Sequence, residues 1–124
     1  MFLTNGLEVL LISDPETDKA ACAVDVGVGS WGDPSGFEGL AHLLEHMLFL
    51  GSKKYPDESG YRQWLGDHGG DSNAYTDSEH TNYYFSVEWS ALPGALDRFA
   101  QFFVAPTLDG GMVGREMRAV HSEH

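Results

Sequence analysis

The pattern of apolar and polar positions along the chain predicts four β-strands. Residues 7–12 are mostly apolar, and residues 20–28 are apolar at every second position, so we expect two strands that pair antiparallel across a short connection. Residues 71–76 follow as a short predicted strand, and the aromatic-rich residues 82–89 as a longer one.

Four other segments predict helices. Residues 40–50 contain neither Gly nor Pro, and residues 61–68 repeat large side chains at helical spacing before two glycines. Residues 91–103 carry an apolar stripe, with Ser90 as the predicted N-cap. The last helical run is residues 115–124. The order β-β-α-α-β-β-α-α predicts an α+β fold, with an antiparallel or mixed sheet of about four strands backed by helices.

Composition narrows the classes of partner. The chain has 124 residues, is 42% hydrophobic and carries a formal net charge of −12, which argues for a globular chain and against nucleic acid or membrane surfaces as partners. Cys22 is the only cysteine, so no disulfide can form within the chain. No apolar run approaches the length of a membrane span, and the first residues lack the features of a signal peptide.

The predicted helix at residues 40–50 contains the candidate chemistry, His42-Leu-Leu-Glu45-His46. Residues four apart lie on one helix face, so the two imidazoles point the same way and Glu45 lies beside them. Two neutral imidazoles at this spacing suit zinc, and the neighbouring carboxylate can accept a proton from a water that the metal activates. The pattern is H-x-x-E-H, the reverse of the commoner zinc-protease motif.

The alternative for these histidines is an ordinary hydrogen-bonded role in a core. Two imidazoles and a carboxylate side by side in apolar surroundings are costly unless something pairs with them, which favours a metal. His68 is a weak further candidate, for which we expect a surface or packing role.

Four stretches carry a resemblance to a known family. They read GLAHLLEHM, GSKKYP, SNAYT and EHTNYYF, at residues 39–47, 51–56, 72–76 and 79–85. Together they are similar to the insulysin/pitrilysin family of zinc metallopeptidases, the inverzincins. The resemblance extends over nearly the whole chain.

The resemblance also implies the third metal ligand, which a catalytic zinc site requires. The final helix matches the family pattern R-E-x-x-A-V-x-x-E, so Glu123 is implied as the ligand that joins His42 and His46. As the family pattern leads us to expect, 76 residues separate His46 from Glu123. Glu116 lies two turns earlier on the same helix face and is implied as the carboxylate that orients a ligand.

The activity implied by the resemblance is that of a zinc-dependent endopeptidase with one Zn²⁺ per chain. Glu45 is implied as the general base that activates water for peptide hydrolysis. An edge strand would pair with the substrate backbone through Ser72, Asn73, Ala74 and Tyr75. Phe49, three residues after His46, could line a side-chain pocket, and core packing is an equal alternative. Ordinary strand structure is the alternative for the edge strand's residues.

The resemblance places residues 1–124 as a single, incomplete N-terminal part of a larger two-layer catalytic domain. Expected partners are a peptide substrate and the remaining domains or second half of the peptidase. The alternative is a fragment or accessory subunit that binds zinc but is inactive, because in the family the second half supplies Arg and Tyr groups at the substrate carbonyl. A purely structural α+β domain is a third hypothesis. The family includes cytosolic, periplasmic and organellar members, and we favour the cytoplasm.

Overall fold

The computed structural model describes residues 1–123, whose regular elements form an α+β fold, as predicted. Two short 3-10 turns, Ser30–Gly32 and Trp89–Ala91, lie between the longer elements. In chain order those elements are β1 (Lys19–Val26), α1 (Leu40–Leu48), α2 (Gly60–Asp67), β2 (Asp71–Thr76), β3 (Thr81–Glu88), α3 (Leu92–Val104) and α4 (Gly110–Ser122).

The three strands form one antiparallel sheet in the order β1-β3-β2. Ala21 of β1 faces Ser86 of β3, and Ala74 of β2 faces Tyr83 of β3. Within the described residues β2 is therefore an edge strand: the backbone groups on its outer side have no partner strand.

The core lies between the central strand β3 and helix α3. Burial alternates along β3, where Tyr83, Phe85 and Val87 are buried at every second position. Phe85 packs edge-on against Phe99 of α3, with ring centroids 5.1 Å apart. Phe49, just after α1, meets Phe102 of α3 at 5.1 Å. This packing fixes α1 against the layer, where it contacts both β2 and α4.

The predicted strand at residues 7–12 is absent, so the described sheet has three strands rather than four. Leu10, Leu11 and Ile12 are 83%, 77% and 84% exposed, and the first residues form only an isolated bridge between Phe2 and Glu8. The prediction of antiparallel pairing with β1 was therefore also wrong. The backbone of this segment bonds instead to the first residues of the chain: the Val9 N–H donates to the carbonyl of Met1, and the Leu7 carbonyl accepts from the N–H of Leu3. No strand of the described sheet pairs with it, so the apolar run does not join the ladder.

The helices agree with the predictions except at their ends. Ser90 is not the N-cap of α3: it lies within the 3-10 turn, and the Leu92 N–H donates to the carbonyl of Trp89 instead. Turn geometry thus satisfies the backbone group that a side-chain cap was expected to satisfy. The longest described helices, α3 and α4, have 13 residues each. No described helix has the length and apolar character needed to cross a membrane.

Candidate metal centre

Helix α1 presents its two histidines as a converging pair. The Nε2 atoms of His42 and His46 lie 3.2 Å apart, and the ring centroids are 4.9 Å apart at an interplanar angle of 72°. This is the geometry expected of residues one turn apart on a helix face. Both side chains are 20% exposed, so the pair faces an accessible surface rather than the core.

The start of α1 is held by a carboxylate from the preceding loop. Asp33 accepts hydrogen bonds from the backbone N–H of Gly39 at 2.8 Å and of Ala41 at 2.9 Å. Gly39 has φ of 95°, a conformation that glycine adopts without strain. Asp33 therefore satisfies two otherwise unpaired donors at the helix start and fixes where the histidine face points.

Glu123, which follows α4, brings its carboxylate to both histidines. Its Oε2 lies 2.9 Å from Nε2 of His42, and its Oε1 lies 3.1 Å from Nε2 of His46. The other nitrogen of His46, Nδ1, lies 3.1 Å from Oε2 of Glu116 on α4. The structure thus brings together the four residues that the sequence assigned to metal binding and ligand orientation.

Glu45 lies in the same cluster, but its hydrogen-bond partner is Thr76 rather than a histidine. It is buried, with 8% of its surface exposed, and its Oε2 accepts a 2.6 Å hydrogen bond from the hydroxyl of Thr76 at the end of β2. His42, Glu45 and His46 offer ligand atoms that all lie within 4.8 Å of one another. Glu123, whose carboxylate contacts both imidazole Nε2 atoms directly, could hold a metal together with the two histidines, and Glu45 lies beside this group.

The donor set fits zinc. Two imidazole nitrogens and a carboxylate oxygen form a combination typical of catalytic zinc sites, which keep a fourth position for water. Because Glu116 lies against Nδ1 of His46, a proton on that nitrogen leaves Nε2 with its lone pair toward the cluster. Arg115 Nε lies 3.5 Å from Oε1 of Glu116 and adds a positive charge behind this carboxylate.

A cavity of 560 Å³ opens onto the cluster. Three of the predicted substrate residues, Asn73, Ala74 and Tyr75, line it, and so does Phe49. Its full lining is His42, Glu45, His46, Phe49, Leu50, Arg62, Asn73, Ala74, Tyr75, Thr76, Glu116 and Glu123. The side chain of Ser72, the fourth predicted substrate residue, is buried and donates to the carbonyl of Tyr84 at 2.8 Å.

Side chains occupy several backbone groups of β2. The N–H of Ser72 donates to Oδ1 of Asp71, and the N–H of Ala74 donates to Oδ1 of Asn73, each at 2.8 Å. The carbonyl of Ser72 accepts a 2.7 Å hydrogen bond from Nη1 of Arg62. These backbone groups at the edge of the sheet are therefore already paired with local polar side chains.

Burial changes the acidity of two tyrosines of the adjoining core. Desolvation raises the pKa of Tyr61 to about 12, and desolvation followed by the nearby Glu45 charge raises that of Tyr83 to about 12. The Tyr61 hydroxyl donates to Oγ of Ser72 at 2.9 Å. Both phenols keep their protons throughout the neutral range, so they act as neutral groups behind the cavity.

Three residues of the site escaped the sequence analysis: Asp33, Arg62 and Thr76. Their partners lie six to 31 residues away in the chain, beyond the spacing that helix or strand periodicity relates. Thr76 belonged to the SNAYT stretch, which was the only available signal. His68 takes the expected packing role, since its Nδ1 lies 2.7 Å from the carbonyl of Trp64 and its ring stacks on that indole at 3.9 Å.

Residues 8–124 match the model of the Insulinase family, Peptidase family M16. The chain belongs to this family. It is 60% identical over 122 residues to the insulin-degrading enzyme of Mus musculus, a match that covers 98% of the chain and 12% of that protein. It is 59% identical, over 98% of its length, to a Schizosaccharomyces pombe protein named "Putative zinc protease mug138", of which 13% is covered.

The fold of the family agrees with the structure described above. The crystal structure of pitrilysin superposes with a TM-score of 0.93 at 48% identity, over 98% of this chain and 13% of that one. The resemblance read from the four sequence stretches is therefore confirmed. The insulinase-family chain described here spans about 12–13% of the length of these relatives.

Proposed function

We propose that this chain forms the catalytic zinc site of an insulinase-family endopeptidase, with one Zn²⁺ held by His42, His46 and Glu123. One observation carries the proposal: the two oxygens of Glu123 reach Nε2 of both histidines across 76 intervening residues. The names of the relatives, which include insulin-degrading enzyme and zinc protease, support peptide-bond hydrolysis as the reaction.

Bound zinc would polarise the scissile carbonyl and lower the pKa of a coordinated water, the Lewis-acid chemistry that such a donor set supports. Glu45 is proposed as the general base. Its Oε2 is held by the Thr76 hydroxyl, so Oε1 is the oxygen left to accept a proton from the attacking water. The same carboxyl group can then pass that proton to the departing amine nitrogen, which releases the product neutral.

Glu116 is proposed to position His46 rather than to bind metal. Its Oε2 faces Nδ1 of His46, and a hydrogen bond there fixes both the tautomer and the ring orientation. Because the Glu116 side chain is only 14% exposed, its contact with the imidazole is partly shielded from water.

The substrate is proposed to lie extended along the free edge of β2. Along the stretch Ser72, Asn73, Ala74 and Tyr75, the main-chain groups that face away from β3 would supply backbone hydrogen bonds, and the cavity would receive side chains. Phe49 lines this cavity and also contacts Phe102, so it combines a pocket wall with core packing. A bound peptide would replace the side-chain partners that Asp71 and Asn73 now provide.

The alternative is a chain that binds zinc without hydrolysing peptides. It is favoured by the small share of the relatives' length that the chain spans, because transition-state donors and walls that exclude water could lie in the other 87–88%. Zinc binding and hydrolysis therefore have to be measured separately.

Elemental analysis after dialysis, run in parallel with hydrolysis of a quenched fluorescent peptide, tests the proposal. We expect about one zinc per wild-type chain, near-zero zinc in His46→Ala, and full zinc without hydrolysis in Glu45→Gln. Zinc in wild type without hydrolysis would favour the alternative. Equal zinc content in wild type and His46→Ala would refute the assignment of the ligands.

A further inference from the structure

Arg62 places a positive charge at the cavity, and none of the roles proposed above involves it. Apart from the two histidines, it is the one basic side chain among the described residues that line the cavity. The other charged lining residues are acidic: Glu45, Glu116 and Glu123. With a formal net charge of −12, the chain as a whole also repels acidic peptides.

Two contacts fix the position of the guanidinium group. Nη1 of Arg62 donates to the carbonyl of Ser72 at 2.7 Å, which ties helix α2 to strand β2. The guanidinium carbon also lies 4.4 Å from the centroid of the Phe49 ring, within the range of a cation–π contact. A side chain held in this way loses little additional rotational freedom when it binds a ligand.

The donors of Arg62 exceed its protein partners. A guanidinium group has five N–H donors, and Ser72 accepts from one nitrogen. Within residues 1–123 no carboxylate oxygen is paired with Arg62, whereas Arg115 pairs with Glu58 at 3.1 Å and approaches Glu116 at 3.5 Å. Arg62 is thus a cation at the cavity wall, held by Ser72 and Phe49, with N–H donors that no described carboxylate occupies.

We propose that Arg62 binds a carboxylate of the peptide substrate and so gives the cavity a preference for peptides that present a carboxylate at this wall. The inference rests on the proposed peptidase function and adds the substrate class. Planar guanidinium groups pair with carboxylates through two parallel hydrogen bonds, a geometry that the remaining donors allow. The carboxylate has two sources, a Glu or Asp side chain near the scissile bond or the C-terminus of a short peptide.

Peptide binding without turnover isolates this interaction. The complete zinc-loaded protein would carry Glu45→Gln, and fluorescence anisotropy would give Kd values for two peptide pairs. One pair differs by Glu against Gln beside the scissile bond, and the other by a free against an amidated C-terminus. We expect roughly three- to fivefold tighter binding of the carboxylate member of one pair, the size of an exposed ion pair. Adding Arg62→Gln should abolish this preference.

Further variants separate recognition from structural support. Arg118→Gln removes the same charge from an exposed position outside the cavity and should leave the preference unchanged. Arg62→Lys should retain part of it, and ionic strength of about 0.5 M should reduce it in the parent. The peptide pair that responds identifies the source of the carboxylate. A preference that survives Arg62→Gln, or its absence in the parent, overturns the proposal.

Hydrolysis of a neutral peptide and the carboxylate preference together distinguish a failure of this inference from a failure of the proposed function. Hydrolysis of a neutral peptide by the protein with Glu45 intact tests the peptidase alone, since no carboxylate is involved. Active protein without a carboxylate preference removes only the role of Arg62. Inactive protein that still prefers the carboxylate peptide leaves Arg62 as a recognition residue and removes the hydrolytic step.

Discussion

The hydroxyl of Thr76 donates a 2.6 Å hydrogen bond to Oε2 of Glu45, joining the end of β2 to helix α1. A hydrogen bond to a charged acceptor is stronger than one between neutral groups, and burial of Glu45 protects it from competing water. The proposed substrate strand and the proposed base are therefore mechanically linked. A shift in the position of β2 would therefore change the position of the Glu45 carboxylate.

Thr76→Val should lower kcat by roughly 10- to 100-fold while zinc content stays at the parental level. The substitution keeps the side-chain shape but removes a hydrogen bond to a charged group, which contributes on the order of 1.5–3 kcal/mol. Steady-state kinetics and elemental analysis on the same preparation give both quantities. Thr76→Ser keeps the hydroxyl and should retain most of the activity. Loss of zinc in Thr76→Val would mean that Thr76 supports the ligands instead.

Glu116→Gln should weaken zinc binding by about 10- to 100-fold, the usual effect of losing a carboxylate that holds a ligand histidine. A competition titration with a chromophoric chelator measures the affinity. Glu58→Gln is the matched control, because it removes the other carboxylate beside Arg115 without touching His46. An equal loss in both variants would trace the effect to Arg115 rather than to the imidazole.

Asp33→Ala should lower the free energy of unfolding by about 1–2 kcal/mol, since it leaves the N–H groups of Gly39 and Ala41 without their partner. Asp33→Asn keeps one acceptor oxygen and should lose less. Urea denaturation measures the difference, with Asp18→Ala as a control for removal of an exposed loop carboxylate. If Asp33→Ala is as stable as this control, the loop carboxylate does not hold the helix start.

Alkaline pH should destabilise the chain between about pH 10 and 12. Burial raises the pKa of Tyr61 from 10.0 to about 12, so the folded chain keeps a proton that the unfolded chain has lost. Its stability contribution is present below the unfolded pKa and declines as pH rises toward the folded value, by on the order of 2–3 kcal/mol. Tyr61→Phe should make the unfolding free energy fall less steeply over this range. An unchanged slope would count against the buried phenol as the cause.

The helix with the zinc motif could be predicted from sequence because its information is local. The spacing of His42 and His46 fixes a common helix face, and the structure places the rings together. Glu123 was different, since periodicity could relate it to Glu116 but not to a helix 76 residues away. The family resemblance supplied that link, and the contacts of Glu123 with both imidazoles agree with it.

What could not be predicted depends on partners distant in the chain. Residues 7–12 have the composition of a strand, but no described strand pairs with them, so composition alone misled. Nothing in the pattern of residues 61–68 indicated that Arg62 would contact Ser72 and Phe49, which the fold brings to it. Asp33 has nearer partners, the N–H groups of Gly39 and Ala41, but it reaches them only because the loop folds back onto the start of α1.

The polar side chains along β2 have a consequence for self-association. An open strand edge is a template for pairing with any extended chain, including a second copy of the same protein. At Ser72 and Ala74 the backbone N–H groups are already bonded to Asp71 and Asn73, so an approaching strand must first displace these side chains. Displacing these side chains costs free energy, which further contacts in the neighbouring cavity would offset. These side chains therefore disfavour strand pairing between copies, and hence aggregation, at the same edge where we propose that a peptide binds.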